Sequence, residues 1–211
     1  VQTCALPICG IAEWGNENPD LWRNQHQNQK REKENNMKLS TRDLTQISIF
    51  AALTFVSGFL SIPVGPVPIT LQTLMVLLTG FFLRPKAAFF AQLLPLLLKL
   101  LLGGFQAFLT PSFGFVFGFI AAATLISYLV HNKEGSFLNY GIAAVAGTIV
   151  MYAIGLPYMA MILNVVMGNQ FDLAAIFQMG MLLFIPGDIA KAVLAIILAD
   201  RLKGHVRAFQ H

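Results

Sequence analysis

Lys99, Asp188 and Lys191 carry ionisable groups in the middle of otherwise apolar stretches. At the centre of a membrane helix each such group costs about 2.5–3.5 kcal/mol on insertion scales, so it needs a partner or a purpose. Asp188 and Lys191 stand three residues apart, share one face of a helix, and can partly offset each other. The same face offers one acceptor and one donor to a polar ligand. Their context, Phe184-Ile185-Pro186-Gly187-Asp188-Ile189-Ala190-Lys191, also reads as a helix start, with Pro and Asp in the first turn. Capping would account for Asp188, but not for a lysine one turn deeper, so ligand binding is the expected role of the pair. Lys99 lies one turn before Gly103 and has two options: to snorkel to the interface, or to point into a cavity towards a ligand carboxylate.

Other chemistry is missing from the chain. It has no Gly-Lys-Ser/Thr phosphate loop, no metal-ligating cluster and no nucleophile triad, and His131, His205 and His211 lie in polar ends away from Asp188. An enzyme embedded in the membrane with Asp188 as its base would lack a second carboxylate, histidine or nucleophile within reach. The expectation is therefore no catalytic residue, no cofactor and no metal. Energy for active transport would have to come from another chain or an ion gradient.

The elements that must position these residues are membrane helices. Of 211 residues, 56% are hydrophobic and 11% charged, against roughly a quarter charged in soluble domains. Polar residues concentrate in 1–36, which hold Cys4, Cys9, Trp14 and Trp22 and lack the order of a secretory signal. Met37 opens Met-Lys-Leu-Ser-Thr-Arg-Asp, which reads as a natural start. Residues 1–36 are thus expected to be an artefactual or disordered tail, and 37–211 a membrane domain that carries no cysteine.

Apolar runs of about 20 residues mark spans. They are placed at 44–62, 70–83, 86–102 (with Pro95 inside), 113–130, 138–166 (interrupted by Gly155-Leu156-Pro157) and 180–200, with loops at 63–69, 103–112 and 168–178. Between the spans or at their ends, from Met37 onward, the basic residues are Lys38, Arg42, Arg84, Lys86, Lys133, Arg201, Lys203 and Arg207. All fall on one side of a six-span arrangement, and the three loops on the other side carry none. The fold class expected is all-α, an integral membrane bundle of six transmembrane helices with both termini cytoplasmic.

Two outward loops look structured. Residues 65–72 combine Pro66 and Pro68 with Thr70 and Gln72 at the mouth of span two, and 103–114 are apolar yet broken by Gly and Pro. Irregular backbone of that kind is tolerated at membrane depth where it is buried in protein or lines a cavity. Phe105, Phe108, Phe113, Phe115, Phe117 and Phe119 cluster there, mostly as packing or lipid-facing residues, with one or two available to wall a pocket. No internal repeat is visible, which argues against a transporter built from inverted halves.

Three motifs, Val67-Pro68-Ile69-Thr70-Leu71-Gln72-Thr73, Thr110-Pro111-Ser112-Phe113-Gly114-Phe115 and Phe184-Ile185-Pro186-Gly187-Asp188-Ile189-Ala190-Lys191-Ala192, resemble the BioY family, and the resemblance runs from Met37 to about Leu202. These are biotin-binding S components of energy-coupling-factor (ECF) transporters. The resemblance implies a six-helix subunit of a prokaryotic cell membrane that captures biotin on the outer side. It would associate with a T component and two cytoplasmic ATPases. It further implies that Asp188 and Lys191 contact the ureido head, with Gln72, Ser112 and Phe115 around the ligand. The middle motif departs from the family's usual Gly-Pro-Thr-Gly-Gly-Tyr, so a phenolic hydroxyl is lost at Phe115. An arginine found just beyond in some members is replaced by Val116 and Phe117, which leaves Lys99 or Gln106 for the ligand carboxylate. Small residues four apart on span one dock the T component in such proteins, and Ser48 and Ala52 fit that spacing. Because the altered motif lines the pocket, a different vitamin is the alternative ligand.

Overall fold

A computed structural model describes Gln27 and residues 40–63, 67–131 and 137–202. Residues 1–40 and 41–211 are separate units, and the helical architecture is that of the second. Apart from Gln27, the tail expected at 1–36 lies outside the described residues, as do Lys133, Lys203 and Arg207.

The chain runs through α1 (Thr41–Ser57), β1 (Ser61–Ile62), β2 (Ile69–Thr70), α2 (Gln72–Phe82), α3 (Pro85–Gly103), α4 (Phe113–His131), α5 (Phe137–Met161), α6 (Leu173–Phe177) and α7 (Ile185–Arg201). A 3₁₀ turn, Gly104–Leu109, prolongs α3. One π-helical stretch, Ile162–Val166, prolongs α5, and another, Gln178–Leu182, joins α6 to α7. Among the described residues, four helical segments are long and apolar enough to cross a membrane: Pro85–Leu109, Phe113–His131, Phe137–Val166 and Leu173–Arg201. The apolar α2 is shorter.

The outward segment expected to be structured carries a short ladder, β1 and β2 pairing antiparallel with Ser61 opposite Thr70 and Ile62 opposite Ile69, while two other local expectations change. Pro63 and Pro68 flank the paired residues, so neither removes a ladder donor. The loop expected at 168–178 is helical from Leu173, started by the Asp172 carboxylate accepting from the Ala175 amide at 2.9 Å. Nor do Gly155-Leu156-Pro157 break the fifth helix, since α5 passes straight through them. There Gly155 lets the Phe115 ring close against the α5 backbone, and Gly114 receives Tyr158 in the same way.

That close approach explains the core. Lipid is as apolar as leucine, so helices in a bilayer associate through tight packing of small residues rather than through exclusion of water. α4 is the central rod, packing on α2, α3 and α5. It presents Gly114, Gly118, Ala122 and Ala123 to its neighbours. A Cβ on Gly118 would lie 2.8 Å from the Met151 carbonyl oxygen, so this spacing of α4 and α5 requires glycine. Phe113 and Phe115 are buried on α4, whereas Phe105 on the 3₁₀ turn is 81% exposed. Outward residues on α1 include Leu44, Ser48, Ile49, Ala52 and Leu53, while Ile47, Ala51 and Thr54 face inward.

Candidate ligand-binding site

α7 opens with Pro186 in its first turn, and its first residues carry no side-chain cap. Asp188 is therefore free of capping duty. Its Oδ1 accepts from Lys191 Nζ at 2.8 Å and its Oδ2 from the Tyr152 hydroxyl at 2.5 Å. Both partners of the ion pair are buried, Asp188 at 7% and Lys191 at 9% exposure. Lys191 Nζ also donates to the Thr70 carbonyl at 3.0 Å and lies 3.5 Å from the Thr73 hydroxyl. β2, α2, α5 and α7 thus converge on one charged pair. Charge-assisted bonds of this length are about twice as strong as neutral ones, which is how the bundle holds two ions away from water. Removing one partner of such a pair costs about 3–5 kcal/mol.

The pair forms one wall of a cavity of about 110 Å³. Gln72, Lys99, Ser112, Phe115, Asp188 and Lys191, all anticipated from the sequence, line it together. Gln72 is held at the mouth by its Nε2 donating to the Thr54 carbonyl at 3.4 Å and by the Thr70 hydroxyl donating to its Oε1 at 3.5 Å. Lys99 points inward rather than out to the interface, its Nζ 5.8 Å from the centre of the Phe113 ring. Gln106 is not brought to this cavity. It sits exposed on the 3₁₀ turn and lines a neighbouring one of about 450 Å³, which Lys99 and Gln72 also border. Ser48 and Ala52 do not line the cavity either, and both are exposed on α1.

Tyr152 is the residue that sequence reasoning missed. Its ring stands edge-on to Phe115, centroids 6.0 Å apart at 89°, and its hydroxyl reaches Asp188. A phenol in the middle of a span was the available signal, since a buried tyrosine hydroxyl needs a partner. Gln92 is a second buried polar residue that the sequence did not single out. At the α1–α2–α3 junction it donates to Thr54 and Thr79 at 3.2 and 2.9 Å.

Chemically, the arrangement offers a carboxylate acceptor and an ammonium donor a few ångströms apart, with apolar walls from Phe115, Phe119 and Phe184. That suits a neutral polar head able to donate and accept at once, on an apolar body. Among the described residues no group of three or more His, Cys, Asp or Glu could hold a metal ion.

Comparison with known proteins gives matches to a family, to named relatives and to a solved structure. The family model described as BioY family matches residues 29–208. A Bacillus subtilis protein named "Probable biotin transporter BioY" is 38% identical over 173 residues, covering 76% of this chain and 89% of the relative. The Thermotoga maritima "Biotin transporter BioY" is 35% identical over 170 residues, covering 77% of this chain and 96% of the relative. Among solved structures, the S-component for biotin from an ECF-type ABC transporter superposes with a TM-score of 0.67 at 26% identity, covering 79% of this chain and 95% of that one.

Proposed function

The chain belongs to the BioY family, and on that premise we propose that it is the biotin-binding membrane subunit, the S component, of an ECF-type vitamin uptake transporter. It has the role of a transport subunit and not of an enzyme. The observation that carries the reading is the buried Asp188–Lys191 pair, held by Tyr152 and Thr70 at the wall of a cavity. A cyclic urea presents N–H donors on either side of a carbonyl. Its N–H groups would donate to the Asp188 carboxylate and its carbonyl would accept from Lys191, while the thiophane ring packs on Phe115 and Phe119. Lys99, inward and without a carboxylate partner among the described residues, takes the acid end of the ligand.

The finer architecture rests on charge placement. α1, α2, α3, α4, α5 and the α6–α7 segment make six spans with both termini cytoplasmic, because the basic residues then share one side. Biotin enters from the outer side of a prokaryotic plasma membrane. Residues 1–36 are a tail outside the binding domain. A T component docks on the outward face of α1, where Ser48 and Ala52 lie one turn apart and let a helix approach closely. Two cytoplasmic ATPases supply the energy.

The test is to purify the full chain from cells grown with and without biotin and to weigh what stays bound by native mass spectrometry, then to titrate biotin, thiamine and riboflavin in parallel. Retention and tight binding of biotin alone is expected. Preference for either other vitamin would overturn the assignment.

A further inference from the structure

The cavity at Asp188–Lys191 encloses about 110 Å³, well below the roughly 300–1,000 Å³ of sites that enclose a whole small molecule. It has room for a polar head, and the rest of a ligand must continue elsewhere. Gly58, Gln72, Lys99 and Val116 border both this cavity and its larger neighbour of about 450 Å³. The partition between them is thus made largely of two long side chains, Gln72, held on Thr54 and Thr70, and Lys99, which no hydrogen bond among the described residues holds. The second cavity has an apolar floor at Pro95 and Ala107, and it opens at the 3₁₀ turn, where Gln106 and Thr110 are exposed. Lys99 stands at the junction with no hydrogen bond or ion pair among the described residues. A cation at that junction, without a partner among the described residues, calls for an anion or a polar linkage passing beside it.

We infer that the second cavity is a tail subsite, and that the protein takes not only biotin but biotin whose acid is extended through an amide into a longer chain ending in a carboxylate. The inference rests on the biotin reading. Head recognition stays at Asp188–Lys191, the tail crosses the neck at Lys99, and the extension lies along Pro95 and Ala107 with its terminus at Gln106 and the open rim. Selectivity is accordingly strict for the urea and lax for groups attached beyond the valeryl chain. A chain closed around the acid would instead reject every amide.

Binding of free biotin and of biotinyl-6-aminohexanoate to the purified full chain tests this, in wild type and in Thr110→Trp, which fills the mouth of the second cavity from an exposed position. Leu102→Trp, on the opposite rim and also exposed, serves if the first variant fails to fold. Wild type is expected to bind the extended ligand within about tenfold of biotin, and the tryptophan to weaken only the extended ligand, by about tenfold or more. An extended ligand about 100-fold or more weaker than biotin in wild type would overturn the subsite. So would a tryptophan that weakens both ligands alike. Indifference of both ligands to tryptophan would overturn it too, and would leave the second cavity to lipid. Failure of free biotin itself to bind is a different outcome, which removes the biotin reading and this inference with it.

Discussion

Replacing Tyr152 by Phe deletes one atom from the site, the hydroxyl that donates to Asp188 Oδ2 at 2.5 Å. The ring and its edge-on contact with Phe115 remain. A hydrogen bond to a charged group contributes about 1.5–3 kcal/mol net. How that loss divides between stability and affinity depends on water. In the unliganded protein the cavity next to Asp188 is polar and large enough for water, which can donate to Oδ2 in place of the phenol. With ligand seated, water is expelled and Oδ2 loses that substitute. Most of the loss should therefore be read in affinity, about 10- to 150-fold in Kd, with little change in the melting temperature of the empty protein. Titration calorimetry with biotin and a melting curve without it measure the two parts. A Kd within twofold of wild type would refute the claim that Tyr152 supports the liganded carboxylate. A large fall in the unliganded melting temperature with unchanged Kd would assign the phenol to packing alone.

Lys191→Met leaves Asp188 buried without its ion partner and should destabilise the fold by about 3–5 kcal/mol. Adding Asp188→Asn should restore the melting temperature but not biotin binding, which a pair kept only for stability would not predict. Gly118→Val drives a side chain into the Met151 backbone, whose carbonyl oxygen lies 2.8 Å from the Cβ position. Overpacking of that kind costs about 1–3 kcal/mol, so thermal melting should fall, and biotin affinity with it, because Met151 and Phe119 line the cavity; an unaltered melting curve would contradict the helix spacing described. The double change Ser48→Leu with Ala52→Leu, on the exposed face of α1, should leave biotin binding by the free chain intact and lower uptake by the assembled transporter. Normal uptake would move the docking surface elsewhere.

What could be read from the sequence was what the bilayer makes expensive. Asp188 and Lys191 were legible because a charged pair in an apolar stretch demands an explanation, and their spacing placed them on one face. Lys99 stood out on the same ground, Gln72, Ser112 and Phe115 through their loops and motifs, and all four line the same cavity. Tyr152 was not legible by that logic, because a tyrosine in a span carries little insertion cost and its partner is 36 residues away. Gln106 was a plausible carboxylate partner by sequence, yet the 3₁₀ turn after Gly103 rotates it to the exposed rim of the second cavity. The helical start at Leu173 hid behind an apparent loop because its signal, the Asp172 cap, is a single residue in a polar run. The β1–β2 pair is two residues per strand, too short for any period to show.

The central claim is that Asp188 is the acceptor for the biotin head. Equilibrium dialysis of labelled biotin against purified wild type and Asp188→Asn tests it most directly, because the amide keeps the shape and removes the charge. Saturable binding is expected in wild type and a Kd weakened about 10- to 150-fold or more in the variant, with both proteins monodisperse in detergent. Equal affinity in the two would contradict it.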